Sequence, residues 1–235
     1  MKRDKSVFRF KQFEVKHTAT ALKVTTDAVV FGSWIDFSGA KTILDIGTGT
    51  GILALMAAQK NAAAKISAIE IDTNAAKEAE FNFSSSKWSE RLLVTNCDIK
   101  EYISEELFDI IVSNPPYFQN DLISESKAKA VAKHAISLTH KQLLEKTATL
   151  LNDSGTAFFI LPYSNSSQFI VTALNCGLHC AKRVDVSSTI TKWPYLSFLA
   201  FTKLTNNLQT NQLYLFEHNG DKSIDYQAMS ADFYL

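Results

Sequence analysis

Thr42-Ile43-Leu44-Asp45-Ile46-Gly47-Thr48-Gly49-Thr50-Gly51 is a short apolar run that breaks into alternating glycines. It continues into Ile52-Leu53-Ala54-Leu55-Met56-Ala57-Ala58, whose composition favours helix. Strand, glycine loop and helix in that order open a nucleotide-binding βαβ unit. The glycines let the backbone turn sharply and come close to a ligand. The spacing is G-x-G-x-G. A dinucleotide fingerprint needs G-x-G-x-x-G, and Ile52 stands where its third glycine belongs.

Moving outward, Lys65-Ile66-Ser67-Ala68-Ile69-Glu70 reads as the next strand. Its terminal acid falls roughly twenty residues after the loop, the place of a ribose-binding carboxylate. Glu70 suits two ribose hydroxyls and repels a 2′-phosphate. Asp45 puts a negative charge just before the loop. That charge suits an ammonium or sulfonium ligand and is a poor neighbour for a pyrophosphate.

A second motif lies downstream. Phe108-Asp109-Ile110-Ile111-Val112 reads as a buried strand and runs into Asn114-Pro115-Pro116-Tyr117. The two prolines stiffen the turn and carry no N–H. Asn114 adds a side-chain acceptor and Tyr117 a flat ring. Rigid acceptors beside a stacking ring suit a planar group with an exocyclic NH₂, either a nucleobase amine or a carboxamide. By itself the motif is also a plain turn; the ordered set with Asp45, the glycine loop and Glu70 favours the ligand site.

These motifs resemble the class I S-adenosylmethionine-dependent methyltransferases that modify amine nitrogens. Further stretches narrow the resemblance to the bacterial tRNA1(Val) adenine-N6 methyltransferase family. They are Phe8-Arg9-Phe10-Lys11-Gln12-Phe13, the run from Lys23 to Trp34, Ala132-Lys133-His134, Ser137-Leu138-Thr139-His140 and the ending Asp232-Phe233-Tyr234-Leu235. Thr25 stands where that family often has glycine, a departure not expected to abolish cofactor binding.

The resemblance implies an S-adenosylmethionine-dependent transfer to the N6 amine of an adenine in the anticodon loop of a tRNA, position 37 of valine tRNA. Asn114 and the Pro115 carbonyl would accept from the amine, and Tyr117 would stack on an extracted base. Asp45, Gly47, Gly49, Gly51 and Glu70 would hold the cofactor. Asp98 would accept from its adenine with Ile99 against the ring, although Asp98 also reads as a helix N-cap. Thr26 and Asp27 would cover the methionine end, and either also reads as a cap. Tyr117, Lys133, His134, Arg9 and Lys11 are candidate RNA contacts. Trp193 and Tyr195 read equally as a base platform or as packing. The runner-up acceptors are a protein glutamine (N5) and another nucleic-acid amine. A non-catalytic RNA-binding protein and a nicotinamide dehydrogenase fit the motifs less well.

Composition bounds the alternatives. Three cysteines, Cys97, Cys176 and Cys180, argue against a zinc site or a disulfide framework, so no metal is expected. The charged start, 1–6, lacks an apolar continuation, and no apolar run approaches a membrane span; a cytoplasmic protein without a membrane partner is expected. Lys and Arg together number 24, as do Asp and Glu. A nucleic-acid enzyme with zero net charge needs a local basic face. Lys2, Arg3, Lys5, Arg9, Lys11 and Lys16 supply one candidate face, unless they form an ordinary solvated surface.

The expected architecture is α/β, a Rossmann-like class I methyltransferase fold. Its mostly parallel sheet has seven strands, the last two an antiparallel hairpin. One domain spans 1–235, with an N-terminal extension 1–41 against the cofactor side, a core 42–203 and a C-terminal extension 204–235. Thr139 and Gln142 predict a capping box, and Leu138 with Leu143 a hydrophobic staple. That helix is expected to stop at Asn152-Asp153-Ser154-Gly155.

Overall fold

The computed structural model describes residues 6–18, 23–115 and 138–234. In chain order the elements are β1 (Val7–Arg9), β2 (Glu14–Lys16), α1 (Thr26–Trp34), β3 (Thr42–Ile46), α2 (Ile52–Lys60), β4 (Lys65–Glu70) and α3 (Thr73–Ser84). They continue with β5 (Leu92–Asn96), β6 (Phe108–Ser113), α4 (His140–Leu150), β7 (Leu151–Pro162), α5 (Tyr163–Asn175), β8 (His179–Ser187), β9 (Leu196–Thr202), β10 (Gln209–Tyr214) and α6 (Ile224–Ser230).

The main sheet has eight strands in the order β10-β8-β9-β7-β6-β3-β4-β5. Strands β3 to β7 are mutually parallel, β9 is antiparallel to both β7 and β8, and β10 lies parallel to β8. The antiparallel hairpin of β8 and β9 matches expectation. The eighth strand corrects the expected count of seven: β10 arises from the segment read as a C-terminal extension. Strands β1 and β2 form a separate antiparallel pair.

Alternation along each central strand builds two apolar layers. Ile43, Ile110, Val112, Ile160 and Phe198 face a layer shared with α1 and α2. Leu44, Ile111, Phe159, Leu161 and Phe201 face a layer containing Leu143 and Phe169 of α4 and α5. Residues buried on both faces explain why β3 is apolar except for Thr42 and Asp45.

Local chemistry sets the helix ends. Thr139 and Gln142 close the expected capping box at α4, and Leu138 joins Leu143 in one apolar layer. The helix does not stop at a turn, however. Leu151 is fully buried and pairs with Phe108, so strand geometry begins at once. The register then jumps between Phe108 and Ile110, and the polar residues 152–155 form an irregular excursion of β7. Asn152 Nδ2 donates to Asp109 Oδ1 at 2.7 Å across it. Gly155 passes so close to the Phe108 carbonyl that a Cβ would sit 2.9 Å from that oxygen. After α2, Asn61 fills its whole hydrogen-bonding capacity: Nδ2 donates to Phe37 and Ala40 carbonyls, and Oδ1 accepts from the Ala63 and Ala64 amides.

The N-terminal segment is clamped by α3 and by the C-terminal tail. Asn82 bonds both backbone groups of Lys16 and also the Thr50 carbonyl of the glycine loop. Glu78 accepts from the Thr18 amide and hydroxyl. Lys11 N donates to Phe233 O at 2.9 Å, and Phe233 is buried.

Candidate active site

The site is built at the carboxyl edge of the sheet, where the chain order reverses. Strands β4 and β5 extend to one side of β3, and β6 and β7 to the other. Such a switch point leaves a crevice between the loops that follow the two central strands. Ile46 pairs with Ser113, so Gly47 and Asn114 are the first residues beyond the edge on adjacent strands. The Ser113 hydroxyl donates to Ile46 O at 2.8 Å and pins the two loop origins together. Asn114 is half-buried and Pro115 buried.

The glycine loop adopts the conformation its composition predicts. Gly47, Gly49 and Gly51 all have positive φ, at 72°, 56° and 84°. A Cβ at Gly47 or Gly49 would meet nothing within 4 Å, so open space lies above them. Gly51 differs: a Cβ there would lie 2.4 Å from Phe83 Cε1. Gly51 therefore serves packing, while Gly47 and Gly49 border the crevice.

Two acids support this loop. Glu70 Oε2 accepts from Gly49 N and Oε1 from Asp72 N, both at 2.9 Å. Each carboxylate oxygen keeps a second lone pair for a ligand hydroxyl. Asp45 is fully buried; its Oδ2 accepts from Thr48 Oγ1 at 2.6 Å, while Oδ1 has no hydrogen-bond partner. Burial pushes the Asp45 carboxyl up to about 7; the Thr48 hydroxyl and Ala54 amide oppose this, and the Glu70 carboxylate adds to it. A buried carboxylate with an idle oxygen invites a cationic or donor ligand.

The remaining candidates sort into three places. Ile99 is buried in the apolar layer that also holds Leu44, Ile46 and Ile69. Asp98, just beyond β5, caps a single turn: Oδ1 accepts from Lys100 N at 2.9 Å, and Oδ2 pairs with Lys100 Nζ at 3.1 Å. Helix α1 runs alongside α2, because Gly32 sits against Leu53 and Met56 while Lys60 Nζ reaches Ser33 O. Its N-terminus, with Thr26 and Asp27, therefore points to the same edge as the glycine loop. The cap of α1 is Thr25, not Thr26 or Asp27: the Thr25 hydroxyl accepts from Ala28 N. Thr26 lines a cavity of about 350 Å³ shared with Phe8, Lys222, Tyr226 and Tyr234. Asp27 Oδ1 accepts from Tyr195 OH at 2.8 Å.

Arg9 and Lys11 are engaged elsewhere. Arg9 pairs with Glu14 at 2.8 Å across the β1–β2 hairpin. Lys11 Nζ donates to Ala231 O at 2.6 Å. Tyr117, Lys133 and His134 lie outside the described residues. Among the described residues no group of three or more His, Cys, Asp or Glu side chains could hold a metal ion. No helix among them is long and apolar enough to cross a membrane.

Sequence reading missed Thr48 and Ser113. Both were detectable in principle: a hydroxyl three residues after a strand-end acid favours a local side-chain bond, and a lone serine ending an apolar strand must find a partner.

Residues 26–161 match the methyltransferase small domain. Over 233 residues the chain is 39% identical to the tRNA1(Val) (adenine(37)-N6)-methyltransferase of Trichodesmium erythraeum, with 97% of each chain covered. The enzyme of the same name from Haemophilus influenzae is 35% identical over 233 residues, with 98% of this chain and 99% of the relative covered. The chain belongs to the tRNA1(Val) (adenine(37)-N6)-methyltransferase family. A predicted O-methyltransferase from Agrobacterium tumefaciens shares the fold with a TM-score of 0.69 at 14% identity, over 88% of this chain and 96% of that one. A methyltransferase from Pyrococcus furiosus does so with a TM-score of 0.59 at 24% identity, over 82% and 90%. The family's cofactor is S-adenosylmethionine. The site's residues fit it: open space over Gly47 and Gly49, a carboxylate at Glu70, and the unpartnered Asp45 oxygen for a positively charged ligand.

Proposed function

We propose that this protein methylates the exocyclic N6 amine of adenine 37 in a valine tRNA, using S-adenosylmethionine. The observation that carries the reading is the strand register that sets Asn114-Pro115 directly beside Gly47. Acceptors for an amine thus adjoin the loop that fits the methyl donor.

When bound, S-adenosylmethionine supplies an electrophilic methyl group, which the amine nitrogen takes as S-adenosylhomocysteine forms. Gly47, Gly49 and Glu70 would hold the nucleoside part, with Ile99 and Asp98 at its base. Asp45 would bias the site toward positive charge, with Thr26 and Asp27 covering the other end.

Asn114 has the chemically decisive task. The N6 lone pair is conjugated into the purine and is a weak nucleophile. Acceptance of its two N–H bonds by the Asn114 side-chain oxygen and the Pro115 carbonyl favours a pyramidal nitrogen. The same acceptors stabilise positive charge as it develops. Holding nitrogen and methyl in line supplies much of the remaining acceleration. A strong base is unnecessary, because the proton can leave to solvent once the methyl has moved. Tyr117 is assigned to stacking on the extracted base, and Lys133 and His134 to RNA contact. An unpaired loop adenine costs least to extract. Because Arg9 and Lys11 already have partners within the chain, their proposed RNA role is secondary.

Incubation with labelled S-adenosylmethionine and total tRNA, followed by nucleoside analysis, tests the reading. N6-methyladenosine that maps to position 37 of purified valine tRNA is the expected result. Folded, cofactor-binding protein that leaves tRNA unlabelled would overturn it, and label in protein would select the glutamine alternative.

A further inference from the structure

Trp193 is 88% exposed, the most exposed large aromatic side chain among the described residues. An indole that bare leaves a large, flat aromatic face open for stacking. Its setting is stiff. Tyr195 N donates to Val186 O at 2.9 Å, and Tyr195 O accepts from Tyr163 N at 3.0 Å. Lys192 N donates to Thr189 O at 3.0 Å, and Pro194 fixes its own φ. The Tyr195–Asp27 hydrogen bond ties the loop to the N-terminus of α1. The indole is therefore held outward by a braced loop, so little ordering entropy remains to be lost on binding.

Behind the indole lies a cavity of about 270 Å³, lined by Tyr163, Asp185, Lys192, Trp193, Gln212 and Tyr214 among others. Its chemistry is mixed. Gln212 Oε1 is taken by Tyr214 OH, which leaves the amide NH₂ as donor. The Asp185 charge is already matched: Arg183 Nε donates to its Oδ1 at 2.8 Å, and Ser197 Oγ donates to the same oxygen at 2.6 Å. Lys192 is exposed and cationic. An aromatic face, amide and hydroxyl groups and one lysine together suit a base with its phosphate.

The location is decisive. Strand β8 runs in the same direction as β7 and the central parallel strands, so the loop that follows it opens on the same carboxyl edge as Gly47 and Asn114. From β6 to β8 is three strand spacings, roughly 14 Å at about 4.8 Å each. At about 3.4 Å per stacked nucleotide that is on the order of four nucleotides of one strand.

We propose that Trp193, with Lys192 and the cavity behind it, takes an unpaired nucleotide of the RNA substrate a few positions from the methylated base. The proposal rests on the tRNA-methyltransferase reading and adds a second contact to it. Base–aromatic stacking tolerates any base, so the contact positions the strand and leaves the transfer chemistry unchanged.

The test compares wild type, Trp193→Phe and Trp193→Ala, whose fold is checked by melting temperature. In methyl transfer to valine tRNA, Trp193→Ala is expected to raise KM at least tenfold with kcat unchanged, and Trp193→Phe to restore most of the affinity. Addition of tRNA should quench tryptophan emission in wild type, and Trp193→Phe should lose that quench although Trp34 and Trp88 remain. Active wild type with unaltered KM and quench in the variants would overturn this inference and leave the proposed function standing. Wild type that neither methylates nor binds tRNA would overturn both. Self-association abolished by Trp193→Ala, with KM for tRNA unchanged, would assign the indole to a protein interface and overturn the nucleotide site.

Discussion

Glu70 accepts the Gly49 amide at 2.9 Å, so the acid at the end of β4 holds the loop that follows β3. Its other oxygen accepts the Asp72 amide, which positions the start of α3. Glu70→Ala removes a charged acceptor from both amides and from any bound ribose. Hydrogen bonds to charged groups contribute about 1.5–3 kcal/mol, so cofactor affinity should fall roughly 10- to 100-fold. Calorimetric titration with S-adenosylmethionine checks this; unchanged affinity would remove Glu70 from the site.

Asn114→Ala should act in the opposite manner. Its acceptor matters most as charge builds on the amine, so kcat should drop by about 100-fold or more. Cofactor affinity should stay within about twofold of wild type, a margin of about 0.4 kcal/mol. Equal losses in both measurements would mean that Asn114 supports the loop instead of the transfer.

Asp45 gives a pH signature. Its carboxyl is raised to about 7 in the folded chain by burial, against a reference of 3.8. The folded state therefore retains a proton that the unfolded state releases. Stability from this group is highest below about pH 4, declines as pH rises toward 7, and is flat above that. Asp45→Asn resembles the protonated form and should lose this decline. Melting temperatures of wild type and variant at pH 5 and pH 8 test it: the variant should gain relative to wild type at pH 8, by an amount on the order of a few kcal/mol. An identical pH response in both chains would count against a buried, raised carboxyl.

Gly51 and Gly47 separate folding from binding. Both have positive φ, 84° and 72°, yet only Gly51 faces Phe83. Gly51→Ala adds a steric clash to a left-handed penalty of about 1–2 kcal/mol. A loss of about 2 kcal/mol corresponds to roughly 4–8 °C in Tm for a chain of this size. Gly47→Ala carries the backbone penalty alone, while its methyl enters the crevice. Its Tm should fall less than that of Gly51→Ala, and its cofactor affinity more. The reverse order would exchange the roles assigned to the two glycines.

The glycine loop, both acids and the central strands β3, β4 and β6 could be read from sequence, because each is a local pattern. Apolar runs that end in glycine, acid or Asn-Pro mark strands whose carboxyl ends must share an edge. The capping box at Thr139 and Gln142 was legible for the same reason. Strand β10 was not. Gln209-Thr210-Asn211-Gln212-Leu213-Tyr214 buries only Leu213, and the strand forms because its backbone pairs with the edge of β8. Residues 152–155 carry turn chemistry, yet a buried Leu151 pulls them into the sheet. Arg9 and Lys11 had the composition of a basic face. Their partners, Glu14 and the Ala231 carbonyl, are specified by tertiary structure.

The antiparallel strand β9 of the main sheet has a consequence for how such an enzyme can diversify. Because β9 returns directly beside β8, the loop between them connects two neighbouring strands and carries no crossover helix. Lengthening or rewriting it costs little closure entropy and disturbs no βαβ unit. Recognition of a new acceptor can thus evolve at this hairpin tip while the machinery under Gly47 and Asn114 is inherited unaltered.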